Sequence, residues 1–217
     1  MAIRINNNIT FIHIGKNAGT SVTHTVTKNL KTESSGKTHD SWEDIPTSWQ
    51  DRGFAVIRNP FNRLVSHYLF GKRKSLKYLG YKNKNAERRK EIEQEVERYN
   101  RGFEWWVLNF PSPKDLSQTM YLPKDYSPIS LLIYENINDE WEKLCQKESW
   151  PKLKLVQHNT NPNTETPYNQ YHTEKTIAWV KKHLSADINL YQKITNRPLP
   201  NHPKTIQDSE YFSTFDN

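Results

Sequence analysis

Two short segments carry the side chains best suited to holding an anion. The first, residues 15–21, reads GKNAGTS and lies between a β-branched, aromatic run at residues 10–14 and a helical pattern that begins at Thr20. Backbone N–H groups at a strand–loop–helix junction attract anions, as does the positive end of the helix dipole. Lys16 adds a full charge, and Thr20 and Ser21 add hydroxyl donors. The segment predicts a phosphate-binding loop, although an ordinary strand–helix turn remains the alternative.

The second segment, RNPFNRLVSHY, follows the apolar run at residues 53–57. It places Arg58 at the carboxyl end of a predicted strand, where open α/β sheets bind ligands. The arginine fork suits a phosphate, and Ser66, eight residues later on a helix, supplies a short hydroxyl donor. Both side chains are therefore candidates for one phosphate. The alternative is that Arg58 caps a surface loop and Ser66 is a small packed residue.

The elements that must position these residues alternate between strand and helix. This alternation predicts an α/β fold in which helices flank a P-loop-like parallel sheet, as a single domain. We expect the domain over residues 1–196, with a charged helical insertion near 72–110, and a tail over 197–217. Strands are predicted at 10–14, 53–57, 129–134 and 153–156, helices at 20–30, 61–70, 86–110, 138–147, 173–184 and 187–194, a turn at 32–38 and a polar loop at 157–170.

Composition narrows the class of protein. The chain has 217 residues, 34% of them hydrophobic, and a net charge of +7, which favours an anionic partner without choosing one. The single Cys145 excludes an intrachain disulfide framework and a cysteine-based metal site. The longest apolar run near the N-terminus spans five residues, too few for a signal peptide or membrane span, so we expect a cytoplasmic protein.

Positive charge is concentrated in one stretch. Residues 72–101 contain 11 Lys or Arg and 5 Glu, a net charge of +6. Such a run is typical of a solvated helix face, and the interleaved glutamates favour that interpretation. The alternative is that it guides an acidic substrate.

The two segments together resemble the sulfotransferases. FIHIGKNAGTS resembles the 5′-phosphosulfate loop of that family, and FAVIRNPFNRLVSHY resembles its 3′-phosphate motif. Further along, LLIYENINDEWEKLC is similar to a later strand–helix segment of the family. The resemblance covers roughly residues 10–195 and is strongest to the carbohydrate sulfotransferases, including the heparan 2-O and 6-O types. It departs from the common pattern at Gly15, Asn17 and Asn59, where proline, threonine and aspartate are frequent.

This resemblance implies a sulfotransferase fold, the donor 3′-phosphoadenosine 5′-phosphosulfate (PAPS) and the product PAP. It implies an acceptor hydroxyl, by default on a carbohydrate, and no catalytic metal. Lys16 is expected to contact the bridging and 5′-phosphate oxygens and to stabilise the leaving phosphate. Arg58 and Ser66 are expected to hold the 3′-phosphate. The expected cradle of the 5′-phosphate is Asn17, Ala18, Gly19, Thr20 and Ser21.

A general base completes the predicted chemistry. His39 lies in THDSWEDI, which resembles the histidine-bearing segment of the heparan 6-O enzymes, and is our candidate. His67, beside Ser66, is a second histidine that could face the acceptor. His13 is expected inside the first strand, in the core. Tyr134 and Glu135, after the third predicted strand, are expected to form a packing and capping pair.

Two other functions share part of this pattern. A P-loop-type nucleotide kinase uses the same strand–loop–helix arrangement, but it requires the sequence GxxxxGK[ST], which residues 15–21 do not contain. A basic nucleic-acid-binding module is suggested by charge alone.

Overall fold

The computed structural model describes residues 1–36, 39–81, 85–156 and 168–196. A five-stranded sheet with the strand order β3-β1-β2-β4-β5 forms its centre. The strands are β1 (Ala2–Ile5), β2 (Ile9–Ile12), β3 (Thr32–Ser34), β4 (Gly53–Ile57) and β5 (Ile129–Ile133). The helices are α1 (Gly19–Asn29), α2 (Pro60–Leu79), α3 (Ala86–Asn100), α4 (Phe103–Asn109), α5 (Pro113–Leu116), α6 (Ile137–Lys147), α7 (Glu174–His183) and α8 (Ser185–Thr195).

The half of the sheet formed by β2, β4 and β5 is parallel. Strands β2, β4 and β5 run in the same direction, with Phe11 opposite Phe54 and Ala55 opposite Leu131. A helix follows each of them, α1, α2 and α6 in turn. The predicted parallel α/β architecture is thereby confirmed, and the carboxyl ends of β2 and β4 lie side by side at one edge.

Two antiparallel strands extend the sheet where the sequence predicted none. Strand β1 pairs with β2, and β3 pairs with the other side of β1. The prediction of a plain turn over 32–38 was wrong at residues 32–34, because Glu33 pairs with Arg4 across this ladder, and residues 37–38 lie outside the described residues. Arg4 is itself buried, and its guanidinium meets the Asp51 carboxylate at 2.6 Å, so a charged residue sits within a core strand.

Apolar side chains cover both faces of the sheet. On one face, Phe61 and Leu64 of α2 pack with residues of α4, α7 and α8. On the other, Phe11 and Phe54 stack at 4.9 Å between ring centroids, beneath Trp141 of α6. These two layers hold α1 and α2 against the sheet, and so hold the loops that precede them.

Three further elements differ from the sequence prediction. The long helix over 86–110 is two helices, because Gly102 adopts a positive φ of 94° between α3 and α4. The strand over 153–156 was wrong, since these residues form no strand. Helix α2 runs on to Leu79, and Pro60 occupies its first turn as expected. Among the described residues, no helix is both long and apolar enough to cross a bilayer.

Candidate functional site

The loop after β2 has the backbone shape of an anion-binding concavity. Lys16 and Ala18 have positive φ values of 68° and 57°, and Asn17 between them does not. Such alternation turns successive N–H groups toward one side and forms a nest for an anion. Ala18 is the N-cap of α1 and provides no side-chain cap, so its side chain does not compete with a ligand for the first-turn N–H groups of that helix.

Glycine is required where this loop enters α1. A Cβ added to Gly19 would lie 1.9 Å from Cδ2 of His13, too close for any real contact. His13 is the first residue after β2, which ends at Ile12, so it lies outside the strand and not inside it as predicted. It is half-buried against the start of α1. Burial and the nearby His39 lower the pKa of His13 to about 4, which keeps its ring neutral at pH 7.

The two sequence motifs meet directly through Arg58. This residue is buried, and its Nη1 donates to the carbonyl oxygen of Lys16 at 3.2 Å. Its guanidinium carbon lies 4.1 Å from the ring centroid of Tyr134 and 5.4 Å from that of Tyr168. Its Nε is buried without a hydrogen-bond partner in the described structure. Arg58 is thus held by two aromatic rings and by its hydrogen bond to the Lys16 carbonyl, while its Nε–H remains a donor without a partner among the described residues.

Gln118, which sequence reasoning missed, joins the two motifs a second time. Its Oε1 accepts from Nδ2 of Asn17 at 2.6 Å and from the backbone N–H of Arg58 at 2.9 Å. Its own backbone N–H donates to Asp187 at 2.7 Å. The Asn17 amide also donates to the carbonyl of Val56, so Asn17 can serve a phosphate only through its backbone. No local pattern around Gln118 signals this contact.

Arg63 is the second residue that sequence reasoning missed. It is buried on α2, where its Nε donates to the carbonyl of Gly15 at 3.0 Å and its Nη1 donates to the carbonyl of Leu116. Burial lowers its pKa to about 10, while Asp187 opposes that shift, so the group stays charged. Its position five residues after Arg58 in the same motif was the signal that could have identified it.

Lys16 is held in an unusual electrostatic state. Its Nζ lies 3.2 Å from the ring centroid of Phe70 on α2. Burial lowers its pKa to about 7, and the positive charges of Arg73 and Arg58 add to that shift. An anion bound beside Lys16 would reverse this effect, because it stabilises the charged ammonium.

His39 lies beside Gly15 and His13, at the start of the same loop. A Cβ on Gly15 would be 3.4 Å from Cε1 of His39, and Nδ1 of His39 lies 3.4 Å from the carbonyl oxygen of His13. A carbonyl only accepts, so Nδ1 carries the proton and Nε2 keeps its lone pair. Burial lowers the pKa of His39, which favours the neutral ring. Its φ of 63° is rare for a residue other than glycine.

The remaining predicted residues surround this centre. Thr20 is exposed and Ser21 buried in the first turn of α1, while Ser66 is half-buried on α2. Next to Ser66, Nε2 of His67 is buried without a hydrogen-bond partner in the described structure. Burial, and then the charges of Arg63 and Lys16, hold the pKa of His67 well below its usual value.

The predicted capping pair is confirmed. Glu135 accepts from the backbone N–H of Asn59 at 2.9 Å, and Tyr134 packs on Arg58. The predicted loop over 157–170 lies mostly outside the described residues, apart from a short 3₁₀ turn over Tyr168–Tyr171. The tail over 197–217 lies outside them entirely.

Comparison with known proteins places this site in a family. A family model described as "Sulfotransferase family" matches residues 2–194, which include every site residue described above. No curated protein and no solved structure shows a significant match to the chain. The match spans most of the sequence and includes both motifs, and on that ground the chain belongs to the sulfotransferase family.

Proposed function

We propose that the chain transfers a sulfuryl group from PAPS to a hydroxyl of a carbohydrate acceptor. The observation that carries the proposal is the direct junction of the two motifs, in which Arg58 donates to the carbonyl of Lys16 at the ends of β2 and β4. A donor with phosphates at both ends of its ribose needs two anion sites held at a fixed separation. The hydrogen bond from Arg58 to the Lys16 carbonyl would hold the two sites at such a separation.

The residues present fit such a donor. The nest at Lys16 and Ala18, with the uncapped start of α1, offers backbone N–H groups to the 5′-phosphate. Thr20 and Ser21 lie in the same first turn and add hydroxyls. Arg58 has a buried Nε without a partner in the described structure and, together with Ser66, is assigned to the 3′-phosphate.

Lys16 is assigned to the leaving group. Sulfuryl transfer, like phosphoryl transfer, is promoted chiefly by positioning and by stabilisation of the charge that develops on the leaving oxygen. A lysine with a pKa of about 7 is close to half-protonated in the free protein, and an anionic donor favours the charged form. To act, its Nζ has to leave the ring of Phe70 and turn toward the anion.

His39 is assigned as the general base. With Nδ1 turned toward the His13 carbonyl, its Nε2 is available to take the proton of the acceptor hydroxyl. The acceptor oxygen then forms the new S–O bond as the bond from sulfur to the 5′-phosphate oxygen breaks. The bonding electrons leave with PAP, next to Lys16. The lowered pKa of His39 keeps the base unprotonated at neutral pH.

A thermal-shift panel tests the donor. The melting temperature is measured with PAP, with PAPS, with ATP and magnesium, and with a single-stranded oligonucleotide. We expect stabilisation by PAP and PAPS above that by the other two. Stabilisation by ATP and magnesium but not by PAP would instead support a nucleotide kinase, and a response to the oligonucleotide alone would support a nucleic-acid-binding module.

The acceptor is tested by transfer of labelled sulfate from PAPS to a panel of sugars, lipid-linked sugars and small hydroxyl-bearing metabolites. Label in the sugars supports the carbohydrate assignment. Label confined to the metabolites would leave the donor chemistry in place and remove the carbohydrate acceptor.

A further inference from the structure

One ring nitrogen beside the candidate site has no role in the proposed transfer. His67 is half-buried on α2, and its Nε2 is buried without a hydrogen-bond partner in the described part of the chain. A buried polar atom without a partner costs folding free energy, and a ligand that supplies the partner recovers that cost. His67 is therefore a candidate for binding a ligand, provided that its ring faces the site.

The neighbours of His67 on α2 show which way its ring faces. Arg63 lies four residues before it and Phe70 three residues after it, so the three side chains share one face of the helix. Arg63 donates to the carbonyl of Gly15, and the ring centroid of Phe70 lies 3.2 Å from Nζ of Lys16. Because the side chains on either side of it both contact the start of the loop after β2, His67 faces the same part of that loop.

The sulfuryl group of the proposed donor has to lie at this end of the loop. In our assignment the 5′-phosphate occupies the nest and the first turn of α1, and Lys16 contacts the oxygen that links this phosphate to sulfur. The assigned base, His39, lies against Gly15, where an added Cβ would be 3.4 Å from its ring. Transfer requires the sulfuryl group to lie between the leaving oxygen beside Lys16 and the acceptor oxygen beside His39. That space borders Gly15, which His67 faces.

The surroundings of His67 suit a bound anion. Burial, and then the positive charges of Arg63, Lys16 and Arg58, hold its pKa well below the usual value, so its ring is neutral in the free protein. A neutral imidazole carries one N–H, which either ring nitrogen can hold, and an anion beside Nε2 favours the proton at that nitrogen. In the free protein Nζ of Lys16 lies over the adjacent ring of Phe70. Movement of Lys16 toward the leaving oxygen opens this face of α2 to the donor.

We propose that His67 binds the sulfuryl group of the donor, through a hydrogen bond from its Nε2–H to a sulfuryl oxygen. This inference rests on the proposed function for the identity of the donor. It makes His67 a residue that distinguishes PAPS from PAP, because the two nucleotides share both phosphates and differ in the sulfuryl group. A preference for PAPS reduces inhibition by the product.

Two substitutions of His67 test this role by titration calorimetry with PAPS and with PAP, in the absence of an acceptor. His67→Phe keeps a ring and removes both nitrogens, so PAPS affinity should fall about tenfold while PAP affinity stays within about twofold of wild type. His67→Gln carries an amide N–H near the position of Nε2 and should keep most of the PAPS affinity. His24→Phe, at an exposed histidine of α1, is the matched control and should leave both affinities unchanged.

Three results would overturn the role of His67. Equal losses of PAPS and PAP affinity in His67→Phe would place its ring at a phosphate, and unchanged PAPS affinity would remove it from the donor site. Equal weakening of PAPS binding by His67→Gln and His67→Phe would show that the N–H donor has no effect. His67→Phe is expected to fold, because it removes a buried polar atom that has no partner among the described residues. A wild type that binds neither nucleotide would instead reject the proposed function, and this inference with it.

Discussion

The side-chain amide of Asn17 donates to Oε1 of Gln118 at 2.6 Å, across 101 positions of sequence. The same Oε1 accepts from the backbone of Arg58, so one buried glutamine holds the loop after β2 and the strand end of β4 in register. The two anion sites of the proposed donor site are therefore kept at their separation by a residue that touches neither phosphate in our assignment.

Removing the side-chain amide of Gln118 should destabilise the loop after β2 and the end of β4 together. Gln118→Ala leaves the donors of Asn17 and Arg58 buried without their partner, so we expect the free energy of unfolding to fall by about 1–3 kcal/mol. PAP affinity should fall as well. Chemical denaturation and calorimetry measure the two effects, and Gln146→Ala, an exposed glutamine of α6, is the matched control. Unchanged stability and unchanged PAP affinity would contradict this role of Gln118.

Nucleotide affinity should depend on pH through Lys16. Its pKa is about 7 in the free protein, and the anion prefers the protonated form. PAP affinity should therefore be greatest below pH 7 and fall as pH rises to 9, by up to about tenfold per pH unit. Calorimetric titrations at pH 7, 8 and 9 measure this. Lys16→Arg stays charged throughout, and its PAP affinity should be nearly level over that range. If the PAP affinity of the wild type does not change with pH, the assignment of Lys16 to the anion is wrong.

Loss of the base should separate turnover from binding. His39→Asn removes the Nε2 proton acceptor, so we expect the transfer rate to fall roughly 10²–10⁴-fold. PAP affinity should stay within about threefold of wild type, since His39 is assigned to the acceptor hydroxyl and not to the nucleotide. His24→Asn, an exposed histidine of α1, is the control. Near-normal turnover by His39→Asn would remove His39 as the base and direct attention to His67.

Arg58 should discriminate the 3′-phosphate. Arg58→Ala removes a charge-assisted donor, a loss of about 1.5–3 kcal/mol, so PAP affinity should fall by about 10- to 150-fold. Adenosine 5′-phosphate lacks the 3′-phosphate, and its affinity should fall much less. The comparison matters because Arg58 also donates to the carbonyl of Lys16, and loss of that contact weakens both ligands alike. Equal losses would show that Arg58 acts only through the loop.

Local pattern was enough to predict the loop between β2 and α1, the start of α2 at Pro60, and the strands and helices on either side of them. Each of these depends on residues close in sequence: an apolar run for β4, Pro60 at the start of α2, small residues between β2 and α1. Strand β3 was not visible in this way, because a three-residue polar strand forms only when β1 is available to pair with it. The break between α3 and α4 depends on the left-handed backbone of Gly102.

By itself, the sequence determined which chemical groups are present and that two of its segments each follow a strand, because periodicity and residue type act over a few positions. Only the tertiary structure decided how those groups are held and which charges act together. Gln118 and Arg63 contact the loop after β2 from 101 and 48 positions away. Likewise, the run of basic residues divides between two helices: spacing alone pairs Arg88 and Arg89 with glutamates of α3, whereas only folding brings Arg73 and Lys74 of α2 near Lys16. Distances between side chains set electrostatic energies, and only the folded chain defines those distances.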